Sequence, residues 1–194
     1  MSTKLALLFT ALIALSFTVS DIDKLTVDIE QSTVNWMGKK VTGKHTGKVA
    51  IKMGTLDYKK GKLLGGEFTM DMSSIAVTDL QGGMQSKLEG HLKSDDFFGI
   101  TSHPEAKMVI TQVDDAGAGT YDVTGDLTIK GITHPVTFST LIAENSMGIS
   151  ATAKIVVDRT KYDIKYGSGK FFDALGDKMI YDDFELNINL LATK

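Results

Sequence analysis

Apolar and polar residues alternate with a period of two along most of this chain, a pattern that predicts a series of half-buried β-strands. Val34 and Trp36 share a face of the first run, and Val49, Ile51 and Met53 share a face of the next. Phe68, Met70 and Met72 alternate with Glu67, Thr69 and Asp71, and Met108 and Ile110 follow. Tyr121, Val123, Leu127 and Ile129 alternate with Asp122, Thr124, Asp126 and Thr128. Val136, Phe138 and Ile142 come next, then Ile149, Ala151, Ala153, Ile155 and Val157. The last run sets Phe184, Leu186, Ile188 and Leu190 against Glu185, Asn187 and Asn189. One apolar and one polar face per strand suits an antiparallel sheet wetted on one side.

Turn chemistry separates these runs. Lys59-Lys60-Gly61, Asp114-Asp115-Ala116-Gly117 and Asn145-Ser146-Met147-Gly148 read as hairpin connections. Gly131 and the His134-Pro135 pair mark a further break or an irregular strand start. About eight strands joined as hairpins predict an all-β, antiparallel up-and-down barrel. One segment departs from the alternation: Met84, Leu88 and Leu92 fall four residues apart and predict a short amphipathic helix that ends before Phe97-Phe98. The glycine-rich stretch from Arg159 to Lys178 reads as a long loop across one barrel end.

The N-terminus has a different character. A Lys and the terminal amine precede an uncharged run from Leu5 to Val19, and Thr18-Val19-Ser20 supplies small residues before Asp21. This is the layout of a secretory signal peptide over residues 1–20, leaving a single domain over 21–194. The alternative is an uncleaved anchor, but the run is ~15 residues against the roughly 20 that span a bilayer as a helix. No second run of spanning length follows, so no integral membrane span is expected. Periplasmic or secreted localisation follows from the signal peptide. The chain contains no cysteine, which excludes disulfides, thiol chemistry and a lipid anchor on a cleavage-site Cys. A mildly acidic balance without a basic cluster makes nucleic acid a poor partner.

Candidate chemistry is sparse. His45, His91, His103 and His134 lie at no metal-ligand spacing from one another. Asp95 and Asp96 are adjacent and point apart in extended chain, so they read as helix-exit residues and not as a carboxylate pair. Gly167-Ser168-Gly169-Lys170 lacks the first Gly, the trailing Ser/Thr and the strand-to-helix context of a phosphate loop. Met53, Met70, Met72 and Met108 fit either a packed core or an adaptable lipid pocket. No catalytic residue, metal or required cofactor is expected.

An ordered set of landmarks then resembles the YceI family of lipocalin-like proteins, from about Val27 to Leu190. They are Ser32-Thr33-Val34-Asn35-Trp36, His45-Thr46-Gly47 and Leu64-Gly65-Gly66-Glu67-Phe68, followed by Leu92-Lys93-Ser94-Asp95-Asp96-Phe97-Phe98 running on to His103-Pro104. The run from Val123 through Leu127-Thr128-Ile129-Lys130-Gly131-Ile132-Thr133-His134-Pro135-Val136 and a late Gly176-Asp177 complete the set. The resemblance implies an eight-stranded lipocalin-like barrel with one inserted helix. It implies a polyisoprenoid or isoprenoid quinone as ligand in the lumen, no settled enzymatic activity, and dimers in some members. Strand parity then nominates Trp36, Val49, Ile51, Phe68, Met70, Met108, Val123, Leu127, Phe138, Ile155, Phe184, Leu186 and Ile188 as lining residues. Leu88, Leu92, Phe97 and Phe98 are expected to form a wall or lid. Two other functions remain open on the residues alone. One is a lipid-modifying enzyme, with His45, His91 and Asp163 as its faint candidates. The other is a stress-associated interaction protein with a solid core.

Overall fold

The computed structural model describes residues 22–194; the expected signal peptide lies outside them. Nine strands and one helix follow in chain order: β1 (Asp23–Val27), β2 (Thr33–Lys40), β3 (Gly43–Lys59), β4 (Lys62–Val77), α1 (Gly82–Lys93), β5 (Glu105–Gly117), β6 (Thr120–Ile129), β7 (Ile132–Asn145), β8 (Gly148–Asp158) and β9 (Ile180–Thr193). All pairings are antiparallel, and β3–β4 pairing closes the sheet into a barrel. The strand count of nine hides eight staves. Strand β1 pairs with the far half of β3 and the end of β9, whereas β2 pairs with the near half of β3 and the body of β9. The two are therefore one stave, interrupted where Asp28 accepts hydrogen bonds from the Glu30 and Gln31 amides.

Three hairpins turn at Lys60-Gly61, Ala118-Gly119 and Lys130-Gly131, each with both residues at positive φ. That is the twist of a type I′ turn, which continues the right-handed twist of the strands. The turn expected at Asp114–Gly117 thus falls one step later, and β5 runs through the acidic pair to Gly117. Of the two readings of His134-Pro135, a break or an irregular strand start, the second is nearer: β7 begins at Ile132 and runs through the pair, with Pro135 opposite Asp126. Proline is tolerated there because β7 pairs with β8 only over Thr140–Asn145, so its first half is an edge on that side.

Two departures from simple parity have one cause, the β-bulge. Lys52 is an extra residue between the Ile51–Met70 and Met53–Thr69 pairs. Beyond it the faces exchange, so Met53 is 59% exposed and does not share the inner face of Val49 and Ile51. In β4 a longer irregularity between Asp71 and Ala76 is tied by Asp71, which accepts from the Ser73 amide and hydroxyl. It turns both Met72 and Ile75 inward. The helix also differs in detail. Leu92 is buried and Leu88 packs against the core, but Met84 is 67% exposed, so the inward face spans only the second half of α1.

Directionality sorts the connections between two ends. The upper end carries the β2–β3 hairpin, α1 with its exit loop, the β6–β7 turn and segment 159–179. The lower end carries the other three hairpins. Leu25, Val27, Leu56, Tyr58, Leu63, Tyr121 and Ile142 are buried towards the lower end and form its floor.

On the inner wall near the upper end, Trp36 pairs with Gly47. A Cβ at Gly47 would fall onto the Ala76 carbonyl oxygen and the indole ring, whereas one at Gly38 meets nothing within 4 Å. Gly47→Ala should therefore lower the unfolding free energy by ~1–3 kcal/mol or more. Gly38→Ala should stay within about 0.5 kcal/mol of wild type. Equilibrium urea denaturation of the two variants checks the contrast.

Candidate functional site

The inner faces of the staves enclose a tube in two chambers. The upper chamber, about 130 Å³, is walled by Trp36, Val49, Met72, Ile75, Leu92, Phe97, Phe98, Ala106, Ile129, Ile164, Ile180 and Phe184, among others. The lower chamber, about 100 Å³, is walled by Ile51, Leu56, Leu63, Phe68, Met108, Ile110, Val123, Phe138, Ile142, Ala151, Ala153, Ile155, Ile188 and Leu190. Val34, Met70, Leu127 and Leu186 line both, so the chambers meet at a waist of four side chains. Each volume is well above the ~10–15 Å³ one water occupies on this measure. The walls offer water almost nothing: Thr140 is the one hydroxyl of the lower chamber, and it already donates to the Thr152 carbonyl.

Sixteen of the residues nominated by parity and resemblance stand on these walls: Trp36, Val49, Ile51, Phe68, Met70, Leu92, Phe97, Phe98, Met108, Val123, Leu127, Phe138, Ile155, Phe184, Leu186 and Ile188. Leu88 does not; it packs behind the wall, one turn before Leu92. Several lining residues escaped the reading. Val34, Ile129, Ile142, Ala151, Ala153 and Leu190 carry the same parity signal and also line the tube. Ile75 was hidden by the β4 irregularity, and Ile164 and Arg159 lie outside any periodic run.

Arg159 is the notable polar group. It is 4% exposed, in a 3-10 turn (Arg159–Tyr162) that follows β8, and it is among the residues that line the upper chamber. Nε donates to the Tyr181 carbonyl, Nη1 to Ile164 and Nη2 to Ile180. The Asp182 carboxylate lies 3.8 Å from Nη2, and the Phe97 ring lies under the guanidinium with its centroid 5.9 Å from Cζ. Burial lowers the Arg159 pKa while Asp182 and Asp158 oppose the shift, so the group remains a cation near neutral pH. Three carbonyls take three of its five donors, leaving two N–H groups for other acceptors.

The roof of the upper chamber is made by two segments that touch through aromatic rings. Tyr166 meets His91 edge-on at 4.5 Å between centroids, and Phe97 at 5.8 Å. His91 meets Phe97 at 4.8 Å. The side wall has a seam where β7 and β8 splay, and Tyr162 fills it, 1% exposed, with His134 edge-on against its ring. The Tyr162 hydroxyl is buried and has no hydrogen-bond partner. Burial, with Asp158 adding to it, pushes its pKa up to about 12.

The groups an enzyme would need do not converge in the tube. His45 is held by Asp79 at 2.9 Å near the upper end and lines neither chamber, His91 lies 3.4 Å from Asp96, and Asp163 is paired with Lys165 at 2.6 Å. Among the described residues no cluster of three His, Cys, Asp or Glu could hold a metal ion, and no helix is long and apolar enough to cross a membrane.

Comparison with known proteins agrees with this architecture. A family model for the YceI-like domain matches residues 25–192. A UPF0312 protein of Pseudomonas putida (strain W619) is 37% identical over 81 residues, which is 38% of this chain and 42% of the relative. The aligned stretch thus spans less than half the length of that curated relative. Among solved structures, Burkholderia cenocepacia BcnA superimposes with a TM-score of 0.70 at 24% identity, covering 86% of this chain and 99% of the other. A polyisoprenoid binding domain from Saccharophagus degradans, implicated in plant cell wall breakdown, gives 0.65 at 14% identity, covering 89% and 99%. At these identities the likeness establishes a shared fold.

Two expectations follow from the roof and the seam. Arg159→Met strands the carbonyls of Ile164, Ile180 and Tyr181, so stability should fall by ~3 kcal/mol or more. Hydrogen exchange should rise first in residues 159–179 and leave the β-ladder protected. A phenol whose pKa is higher in the fold than in the unfolded chain favours folding fully below pH ~10 and loses that contribution as pH rises towards 12. Tyr162→Phe removes both this titration and a buried unpartnered hydroxyl. Its denaturation midpoint should equal or exceed wild type at pH 8, and should decline less between pH 10 and 12.

Proposed function

This chain belongs to the YceI-like domain family, and from that membership and the shape of its lumen we propose that it holds a long-chain amphiphile, as carrier or reservoir. The candidates are a polyisoprenoid and an isoprenoid quinone. The observation that carries the reading is a narrow apolar tube running nearly the length of the barrel. Strand β9 alone contributes Ile180, Phe184, Leu186, Ile188 and Leu190 to its walls. Ten residues of strand at ~3.3 Å each, tilted by ~40°, give a tube of ~25 Å along the axis. Length without width selects a chain and not a ring system.

The energetics favour such a guest. Each methylene removed from water contributes ~0.8 kcal/mol, so a five-carbon prenyl unit contributes roughly 3–4 kcal/mol before ordering costs. The polar end of the amphiphile stands at the upper end. There Arg159 has two N–H groups not taken by carbonyls, whereas the lower chamber has only the Thr140 hydroxyl, which already donates to the Thr152 carbonyl. The binding domain of Saccharophagus degradans, named for polyisoprenoids, shares this fold and supports the ligand class. Periplasmic or secreted localisation after removal of residues 1–20 belongs to the same reading, since a lipid needs a soluble container where it must leave a bilayer.

Organic extraction of natively purified protein followed by mass spectrometry should yield a chain-like lipid in near-stoichiometric amount. Ala153→Phe places a ring in the lower chamber; the barrel should fold at a cost of about 1–3 kcal/mol. Its affinity for a long prenol or quinone should fall at least about tenfold, while a short prenol that reaches only the upper chamber should bind nearly as well. Lipid-free wild type that binds neither, or a variant indistinguishable from wild type on the long ligand, overturns the reading.

A further inference from the structure

The exposed aromatic residues of this protein are not scattered. Among the described residues, the large exposed aromatics are Tyr166, Phe171, Phe172 and Tyr181, all within sixteen positions at the upper end. Phe171 and Phe172 are adjacent and 48% and 50% exposed. Their backbone amides both donate to the Ser168 carbonyl, in a turn whose Ser168 is fully buried, so the loop is anchored and its tip is apolar. Tyr181 is 48% exposed and is also among the residues that line the upper chamber, so the chamber and this surface share a residue.

Cations surround the rings. Lys165 Nζ lies 5.3 Å from the Phe171 centroid. The Val41 amide donates to the Met179 carbonyl, which brings the β2–β3 hairpin, with Lys40 and Lys44, against Lys178. Lys40, Lys44, Lys161 and Lys178 make no ion pair among the described residues, and Val41 between them is 46% exposed. Within 159–178 five basic residues face three acidic ones, in a chain whose formal charge is −3.

We propose that the upper end docks on an anionic phospholipid bilayer, with Phe171 and Phe172 entering the headgroup region and Lys40, Lys44, Lys161 and Lys178 against the lipid phosphates. Aromatic rings partition to that interface, and each lysine near an anionic surface adds to the attraction. A second copy of the chain fits poorly, since a self-complementary contact would bring the same unpaired lysines face to face. The proposal deepens the lumen reading by naming the surface with which a lipid is exchanged, and its test is separate from ligand binding.

Full-length processed protein is mixed with sedimentable vesicles of phosphatidylcholine alone, or with about 30% phosphatidylglycerol, and the bound fraction measured at low and high salt. Binding should require phosphatidylglycerol, weaken with salt, and fall about tenfold or more in Phe171→Ser/Phe172→Ser and in Lys40→Gln/Lys178→Gln. Equilibrium occupancy of the lumen by a fluorescent prenol, measured without vesicles, should be unchanged in both variants. The proposal fails if wild type ignores both vesicle types, binds neutral vesicles equally well, or binds undiminished in the variants. It fails equally if light scattering shows a dimer that the Phe variant dissociates, which would make the surface a contact between copies. Loss of prenol binding in wild type would instead overturn the lumen reading and leave the vesicle result standing.

Discussion

Closure of an antiparallel sheet fixes the width of this protein before any side chain is chosen. Eight staves bonded edge to edge give an interior that large side chains can just fill, or that smaller ones leave open. The inner wall here is built to stay open. Gly38, Ala106, Ala151 and Ala153 face the tube directly. At three other inner-wall glycines a large neighbour takes the space a side chain would fill: Trp36 at Gly47, Phe68 at Gly54, Met108 at Gly125. Large residues thus line the tube lengthwise without plugging it. Phe68, Met70, Met108, Phe138, Phe184, Leu186, Ile188 and Leu190 face inward yet remain only partly buried. A packed core would bury them.

The two ends solve different problems. At the lower end short hairpins and buried aromatics close the barrel with ladder hydrogen bonds. At the upper end the roof is irregular chain, which leaves carbonyls without ladder partners and must satisfy them otherwise. One buried cation does so: Arg159 gathers Ile164, Ile180 and Tyr181 and rests against Phe97 of the opposite segment. Desolvating a guanidinium is costly, and three charge-assisted hydrogen bonds with a carboxylate nearby offset it. The same residue is the one cationic side chain among those that line the tube, so the stability of the roof and the charge of the lining rest on a single residue.

Parity in the sequence foretold the barrel and most of its inner wall, because period two is a property of the strand itself. Its failures are local and physical. Met53 lies beyond the Lys52 bulge, where one extra residue exchanges the faces, and nothing in Ile51-Lys52-Met53 signals the insertion. Met84 has the right spacing for a helix, yet the apolar contact of α1 with the barrel runs through its second half, a matter of tertiary placement. Pro135 signals a break or an irregular strand start because proline opposes central strands; the splay of β7 from β8 lets the strand run through it, and splay is a property of the closed sheet. Arg159 gave no signal, since a buried arginine is defined by carbonyls that gather only on folding.

These asymmetries bear on how a guest could leave. Passage through the lower end would break the hairpin ladders and the floor of Tyr58 and Tyr121. Passage through the seam would expel Tyr162, which is buried between β7 and β8. The roof is held by fewer cooperative bonds, and its halves meet at the ring contacts among His91, Phe97 and Tyr166 and at Arg159 against Phe97. Segments with few ladder bonds open at lower free energy than the sheet that carries them. The upper end is therefore the part of the fold that can open while the barrel persists, and it is also where the tube reaches Tyr181 and where the exposed aromatics and unpaired lysines collect.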